Sequence, residues 1–163
     1  MDIKIEVLQE KDWERYKAIR LASLRDSPDA FVTTLAQSES WPQETWQRSI
    51  TSTMTHIASI NEEDVGVARL TSNEDQPESS WLISMWVNPE LRGCKAADRL
   101  VEAIILTARS RGFKKLALEV VDTNIAAIKL YKRHGFIENG ITGNLPEPRA
   151  HISEIQLELN LLD

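Results

Sequence analysis

Residues 81–97 read Trp81-Leu82-Ile83-Ser84-Met85-Trp86-Val87-Asn88-Pro89-Glu90-Leu91-Arg92-Gly93-Cys94-Lys95-Ala96-Ala97, and a long helical pattern follows directly. Pro89 ends the strand-like run because it has no N–H to give to a sheet ladder. Gly93 lets the backbone approach a ligand with no side chain in between. The amides from Arg92 to Ala97 then open a helix without intrahelical acceptors, at the positive end of its dipole, so the turn suits a phosphate. Strand, anion turn and helix, in that order, form the nucleus of an α/β fold.

About thirty residues on, a second block runs Asn124-Ile125-Ala126-Ala127-Ile128-Lys129-Leu130-Tyr131-Lys132-Arg133-His134-Gly135-Phe136. Together the two blocks resemble the GCN5-related N-acetyltransferase superfamily, whose signature is Arg/Gln-x-x-Gly-x-Gly/Ala followed downstream by Asn-x-x-Ala-x-x-x-Tyr-x-x-x-Gly-Phe. Asn124, Ala127, Tyr131, Gly135 and Phe136 match the second part. In the first part the central glycine falls on Lys95 and the small residue on Ala97. A side chain at 95 either crowds a pyrophosphate or folds its ammonium back onto it. The resemblance covers residues 81–140 and implies a mixed, mostly antiparallel sheet with splayed parallel strands, flanked by about four helices. Residues 1–163 are expected to form one such domain.

The resemblance also implies acetyl-CoA as acetyl donor and direct transfer to a primary amine, of a small molecule or a protein N-terminus, in a ternary complex. Met85, Trp86 and Val87 would border the pantetheine arm, with backbone groups of Met85 and Val87 making the bonds. The turn Arg92, Gly93, Cys94, Lys95, Ala96 and Ala97 would hold the pyrophosphate. Asn124 would contact the pantetheine or cap its helix. Tyr131, two helical turns beyond Asn124 and on the same face, would protonate the departing sulfur, or else be a packed tyrosine. Glu119 precedes Tyr131 by twelve residues, a spacing similar to the base and acid of ribosomal-protein alanine N-acetyltransferases. Its alternative is a solvated strand position. A family member that binds CoA as a sensor or scaffold, without transfer, is the competing reading.

The rest of the sequence bounds these expectations. A net charge of −6 over 163 residues argues against broad nucleic-acid binding and favours a cationic acceptor. The single cysteine, Cys94, forms no internal disulfide and reads as a small residue more than a nucleophile. His56, His134 and His151 lack metal-ligand spacing, so no metal is expected. The amino terminus alternates like a strand and no stretch suits a membrane span, so a cytoplasmic protein without membrane partners is expected. The alternation from Ile152 to Leu161 leaves an apolar face, and edge strands near the C-terminus commonly pair in the resembled family, so a homodimer is expected.

Outside the two blocks, periodicity predicts a strand at 2–8, a helix from Glu10 to Leu24 broken at Ser27-Pro28-Asp29, and a helix from Pro42 to Ser52 with Ser40 near its start. Residues 29–52 are expected to form a lid, in which Trp41 and Trp46 stack on a cationic substrate or, for at least one of them, pack in the core, with Glu39, Trp41, Glu44 and His151 as acceptor-pocket candidates. Strands at 56–60 and 65–71 would flank a hairpin turn at Asn61–Asp64, and 72–80 reads as a polar loop. The second half predicts a helix from Ala96 to Arg111, a strand at 115–121, a helix from Asn124 to His134, and strands at 136–142 and 151–161.

Overall fold

The computed structural model describes residues 2–162. Its strands are β1 (Ile3–Val7), β2 (Met54–Ile60), β3 (Glu63–Asn73), β4 (Gln76–Val87), β5 (Lys115–Val121), β6 (Ile137–Asn144) and β7 (Ser153–Asn160). Its helices are α1 (Trp13–Asp26), α2 (Leu35–Glu39), α3 (Gln43–Ser52), α4 (Ala96–Ser110) and α5 (Ile125–Arg133). The strands form one mixed sheet in the order β1-β2-β3-β4-β5-β7-β6, antiparallel everywhere except between β4 and β5. This is the mixed α/β architecture expected from the two blocks, with one helix more.

Two apolar layers sandwich the sheet. On one side Leu100, Val101, Ile104, Ile105 and Ala108 of α4 recur at helical spacing and pack with Leu130 and Tyr131 of α5 on Leu116, Leu118 and Val120. On the other, Tyr16 and Ile19 of α1 and Trp46 and Ile50 of α3 pack on Ile57, Val67 and Trp86. Gly135, at φ +97°, ends α5 as expected, and the Phe136 N–H donates back to the Tyr131 carbonyl at 3.1 Å.

The opening in the sheet comes from β4. Its parallel ladder with β5 covers only Ser79–Trp81 against Lys115–Ala117. Between the pairs Val67↔Trp86 and Arg69↔Ile83, β4 carries an extra residue, and Ser84 sits at φ +57°. A bulge bends the strand that holds it, so beyond Trp81 the two strands diverge and leave backbone groups of β4 without a β5 partner.

Several expectations are corrected. The polar stretch 72–80 is not a loop: β3 and β4 continue through it and turn at Glu74-Asp75. Residues 35–39 form α2, capped by Thr34, whose hydroxyl accepts from the Gln37 N–H while Gln37 Oε1 accepts from the Thr34 N–H. Ser40 ends that helix and does not start α3. The first helix begins at Trp13, after a 3₁₀ turn at Glu10–Asp12. Strand β7 lies between β5 and β6, so the sheet edges are β1 and β6, the latter interrupted in its pairing between Glu138 and Thr142.

Trp41 and Trp46 are likewise removed from the substrate. Trp46 is 0% exposed, with Tyr16 and Trp41 ring centroids 5.6 and 4.8 Å from its own. Their role is to hold α1 and α3 together.

Candidate functional site

The diverging strands β4 and β5, the α4 N-terminus and α5 enclose a cleft of roughly 960 Å³. The turn at its phosphate end is built by local chemistry. Asn88 Oδ1 accepts from the Glu90 N–H at 3.0 Å, and Gly93 (φ +89°) and Lys95 (φ +75°) supply two left-handed residues. Lysine thus takes the backbone conformation that a glycine would take here, at a cost of about 1–2 kcal/mol. Its side chain is exposed, borders the cleft, and makes no ion pair among the described residues.

The first intrahelical bond of α4 runs from the Arg99 N–H to the Lys95 carbonyl at 3.0 Å. The amides of Gly93, Lys95, Ala96, Ala97 and Asp98 find no acceptor among the described residues, which leaves a row of N–H groups at the helix end. The amides of Arg92 and Cys94 are a correction: they donate, at 3.5 and 3.4 Å, to the carbonyls of Pro89 and Leu91. The Arg92 side chain also looks away from phosphate work. Its Nε donates to the Val87 carbonyl at 3.2 Å and its Nη2 to Asp26 at 3.3 Å. Cys94 is absent from the lining and packs against the core.

Asp98, in the first turn of α4, would repel an anion were it free. Burial works to raise its carboxyl, but hydrogen bonds from His134 (2.7 Å) and Arg133 (2.9 Å) and the Arg133 charge outweigh burial and hold it below the usual carboxylate range. Arg133 itself borders the cleft.

Met85, Trp86 and Val87 line the cleft. The Trp86 indole is turned to the α1 side, where its Nε1 donates to Asp26 at 2.9 Å. That bond, first, together with those of Ser27 and Arg92, keeps the Asp26 carboxyl below its ordinary value. Asn124 caps α5, its Oδ1 accepting from the Ala127 N–H at 3.2 Å, so its amide nitrogen remains to face the cleft. Tyr131 is 5% exposed, with its ring edge-on to Phe136 at 5.9 Å. Its hydroxyl makes no hydrogen bond among the described residues, and burial pushes the phenol well above its usual pKa.

Across the cleft, Glu119 of β5 is exposed and lines the wall. Leu118 and Val120 point into the α4–α5 layer, so Glu119 faces the α1 side. By register Gln156 and Glu154 of β7 share that face. Glu154 is the residue that sequence reading missed: it is 7% exposed, borders the cleft, and its carboxyl is raised first by burial and then by the Glu119 charge, against a lowering by Arg149. It occupies a polar position of the alternation in the last strand, like Gln156 and Glu158, so nothing in the sequence marked it out. Glu39, Trp41, Glu44 and His151 do not border the cleft.

A carboxyl whose folded pKa lies above its unfolded value adds stability below the unfolded pKa and loses that addition as pH rises through the folded one. Glu154→Gln is therefore expected to melt above the wild type at neutral pH, with the advantage vanishing in acid below the ordinary carboxylate range. Melting curves across that range check it; an equal difference at every pH would mean that the carboxylate charge is not the cause.

The α1 side of the cleft is held by a long-range clamp. Arg149, in the β6–β7 connection, donates to the carbonyls of Pro28, Phe31 and Val32 at 2.7, 2.8 and 2.8 Å, fixing the segment after α1 as part of the wall.

The family model for the acetyltransferase (GNAT) family matches residues 16–136. A probable N-acetyltransferase of Xenopus laevis, camello, is 31% identical over 80 residues, 49% of this chain and 36% of that protein. An uncharacterised N-acetyltransferase of Schizosaccharomyces pombe is 38% identical over 52 residues, 32% of each. The matches thus span about a third of the length of these curated relatives. Among solved structures, a GNAT-family acetyltransferase from Streptococcus pneumoniae superposes at TM-score 0.82 with 19% identity, covering 98% of this chain and 99% of that one. A candidate acetyltransferase from Salmonella typhimurium, solved with its cofactor acetyl-CoA, superposes at 0.80 with 15% identity over 100% and 96%. No helix among the described residues is long and apolar enough to cross a membrane.

Proposed function

Because this chain belongs to the acetyltransferase (GNAT) family, we propose that it transfers the acetyl group of acetyl-CoA to a primary amine by direct attack within a ternary complex. The observation that carries this reading is the set of acceptor-free amides of Gly93 and of Lys95 to Asp98 at the end of α4, in a cleft that Tyr131 also lines. These groups fit the donor: the amides and the cations Lys95 and Arg133 take the pyrophosphate, and the unpaired edge of β4 from Met85 to Val87 takes the pantetheine arm.

Acetyl-CoA supplies an activated thioester whose carbonyl carbon the amine attacks. An N–H of the β4 edge donates to the thioester oxygen as charge develops there. The Glu119–Glu154 pair accepts the amine proton, directly or through water, as the C–N bond forms. Tyr131, kept protonated by its burial, gives its proton to the sulfur as the C–S bond breaks. Asn124 holds the helix that carries Tyr131 and turns its amide toward the cleft.

Calorimetry with acetyl-CoA, followed by thiol release across a panel of primary amines, tests the reading. One site per chain and turnover of at least one amine are expected; no binding at millimolar acetyl-CoA would sink it. Gly93→Val is expected to weaken acetyl-CoA binding about tenfold or more, because a β-branched residue at positive φ must distort the turn. Beyond its chain neighbours no protein atom lies within 4 Å of a Cβ built there, so the loss of fold stability should stay within about 1–3 kcal/mol, the backbone strain itself. Equal losses in affinity and melting temperature would reduce Gly93 to a turn residue.

A further inference from the structure

Two arginines are buried on the α1 side of the sheet, and they are treated differently. Arg69 donates to the Ser49 carbonyl at 2.6 Å, to Ser49 Oγ at 2.9 Å and to Thr55 Oγ1 at 3.0 Å, bonds Thr53 as well, and stacks on Tyr16 at 4.6 Å. Its neutral oxygens fully account for it. Arg20 of α1 is 6% exposed and lies over the Phe31 ring at 4.7 Å, yet its guanidinium makes no hydrogen bond and no ion pair among the described residues. Its Nη1 is sealed from solvent and unpartnered. Arg69 adds a second positive charge nearby.

A guanidinium taken out of water without a counter-charge costs several kcal/mol, and natural chains seldom leave one so. Carboxylates are plentiful here, 25 acidic side chains against 19 basic, and Arg15 and Arg133 are matched with them on the surface. The unmatched arginine instead borders the cleft, beside the segment that Arg149 clamps and on the same side of the sheet as Glu119 and Glu154. The lining of the cleft thus carries one buried cation without a partner, Arg20, and two carboxylates, Glu119 and Glu154.

We propose that the acetyl acceptor is an amino-carboxylate, whose carboxylate accepts hydrogen bonds from the Arg20 guanidinium while its amine faces Glu119 and Glu154. The assignment rests on the acetyl-transfer reading above and adds the chemical class of the acceptor. Of the guanidinium nitrogens Nη1 alone is sealed, so a planar carboxylate meets the Nε–Nη2 edge in a bidentate pair and supplies the counter-charge that the buried guanidinium lacks in the fold. Such a pair also turns the amine toward the carboxylates and away from the phosphate end, so specificity and orientation have one cause.

The test compares the free amino acids with their carboxamides, which keep the side chain and lose the negative charge; because the carboxamide's amine is the less basic, KM is expressed per concentration of neutral amine. Acetyl-CoA affinity is measured by calorimetry, and each acid and amide is then assayed by thiol release and by thermal shift with CoA bound. Wild-type protein is expected to favour an acid over its carboxamide by about 10- to 100-fold in KM, the range of a charged hydrogen-bonded pair. Arg20→Gln should abolish the preference with acetyl-CoA affinity unchanged, and Arg20→Lys should restore part of it. Equal use of acid and amide by the wild type, no response to either, or a preference surviving in folded Arg20→Gln overturns the proposal. The acid–amide comparison decides even where a variant fails to fold. Absence of acetyl-CoA binding is a separate result that removes the acetyl-transfer reading itself.

Discussion

Tyr131→Phe is expected to lose about 10²-fold or more in kcat while its affinity for acetyl-CoA stays at the wild-type level. The ring fills space between α5 and the sheet and meets Phe136 edge-on, and phenylalanine keeps both contacts. Only the hydroxyl goes, and it supports no other described group. A fall in kcat without a fall in affinity marks a group that acts in the transition state. Because burial holds the phenol well above its ordinary pKa, the wild type should also show no loss of activity from tyrosine ionisation in the alkaline range where exposed tyrosines titrate. Wild-type turnover in the variant, with an earlier melt, would make the hydroxyl structural and leave the sulfur to be protonated by another group.

Glu119→Gln is expected to lower kcat/KM about 10²-fold at neutral pH and to recover part of that loss at high pH, where more of the amine is neutral before it binds. The substitution also removes a negative charge beside Glu154, so the Glu154 carboxyl should fall toward its ordinary value, which carbon-13 chemical shifts can follow. The two carboxylates share a face, and the Glu119 charge bears on the Glu154 carboxyl after burial does. A variant with an unchanged rate and an unchanged profile removes Glu119 from the reaction. If Glu154→Gln alone then shows the loss and its alkaline recovery, the proton goes to the buried member.

Signals confined to a few neighbouring residues were legible in the chain. Pro89 and Gly93 announced the turn, Asn124 the cap and Gly135 the stop, because each acts through its own φ or a hydrogen bond to residues two to five away. The apolar spacing of α4 and α5 announced helices for the same reason. Reading failed where a partner distant in sequence overrides local chemistry. The polar run 72–80 looks like a loop by composition, but the ladder to β3 makes it strand. Trp41 and Trp46 look like a cation platform by residue type, but α1 covers them. The Arg92 guanidinium bonds Asp26, sixty-six residues away, a partner that no local pattern announces.

By itself the sequence determined the family, the anion turn, and the helix that carries Tyr131, since those depend on short-range conformation and a fixed residue pattern. Tertiary structure alone decided that Lys95 holds a left-handed backbone conformation with its side chain exposed beside the cleft, that the amides of Gly93 and of Lys95 to Asp98 remain free while those of Arg92 and Cys94 are engaged, and that the β5–β7 register puts Glu154 on the face of Glu119. It also decided that Arg20 stands buried without a partner beside a segment clamped by Arg149 from more than a hundred residues away. Burial and pairing of charge are properties of the space around a side chain, and that space is filled by parts of the chain that periodicity cannot bring together.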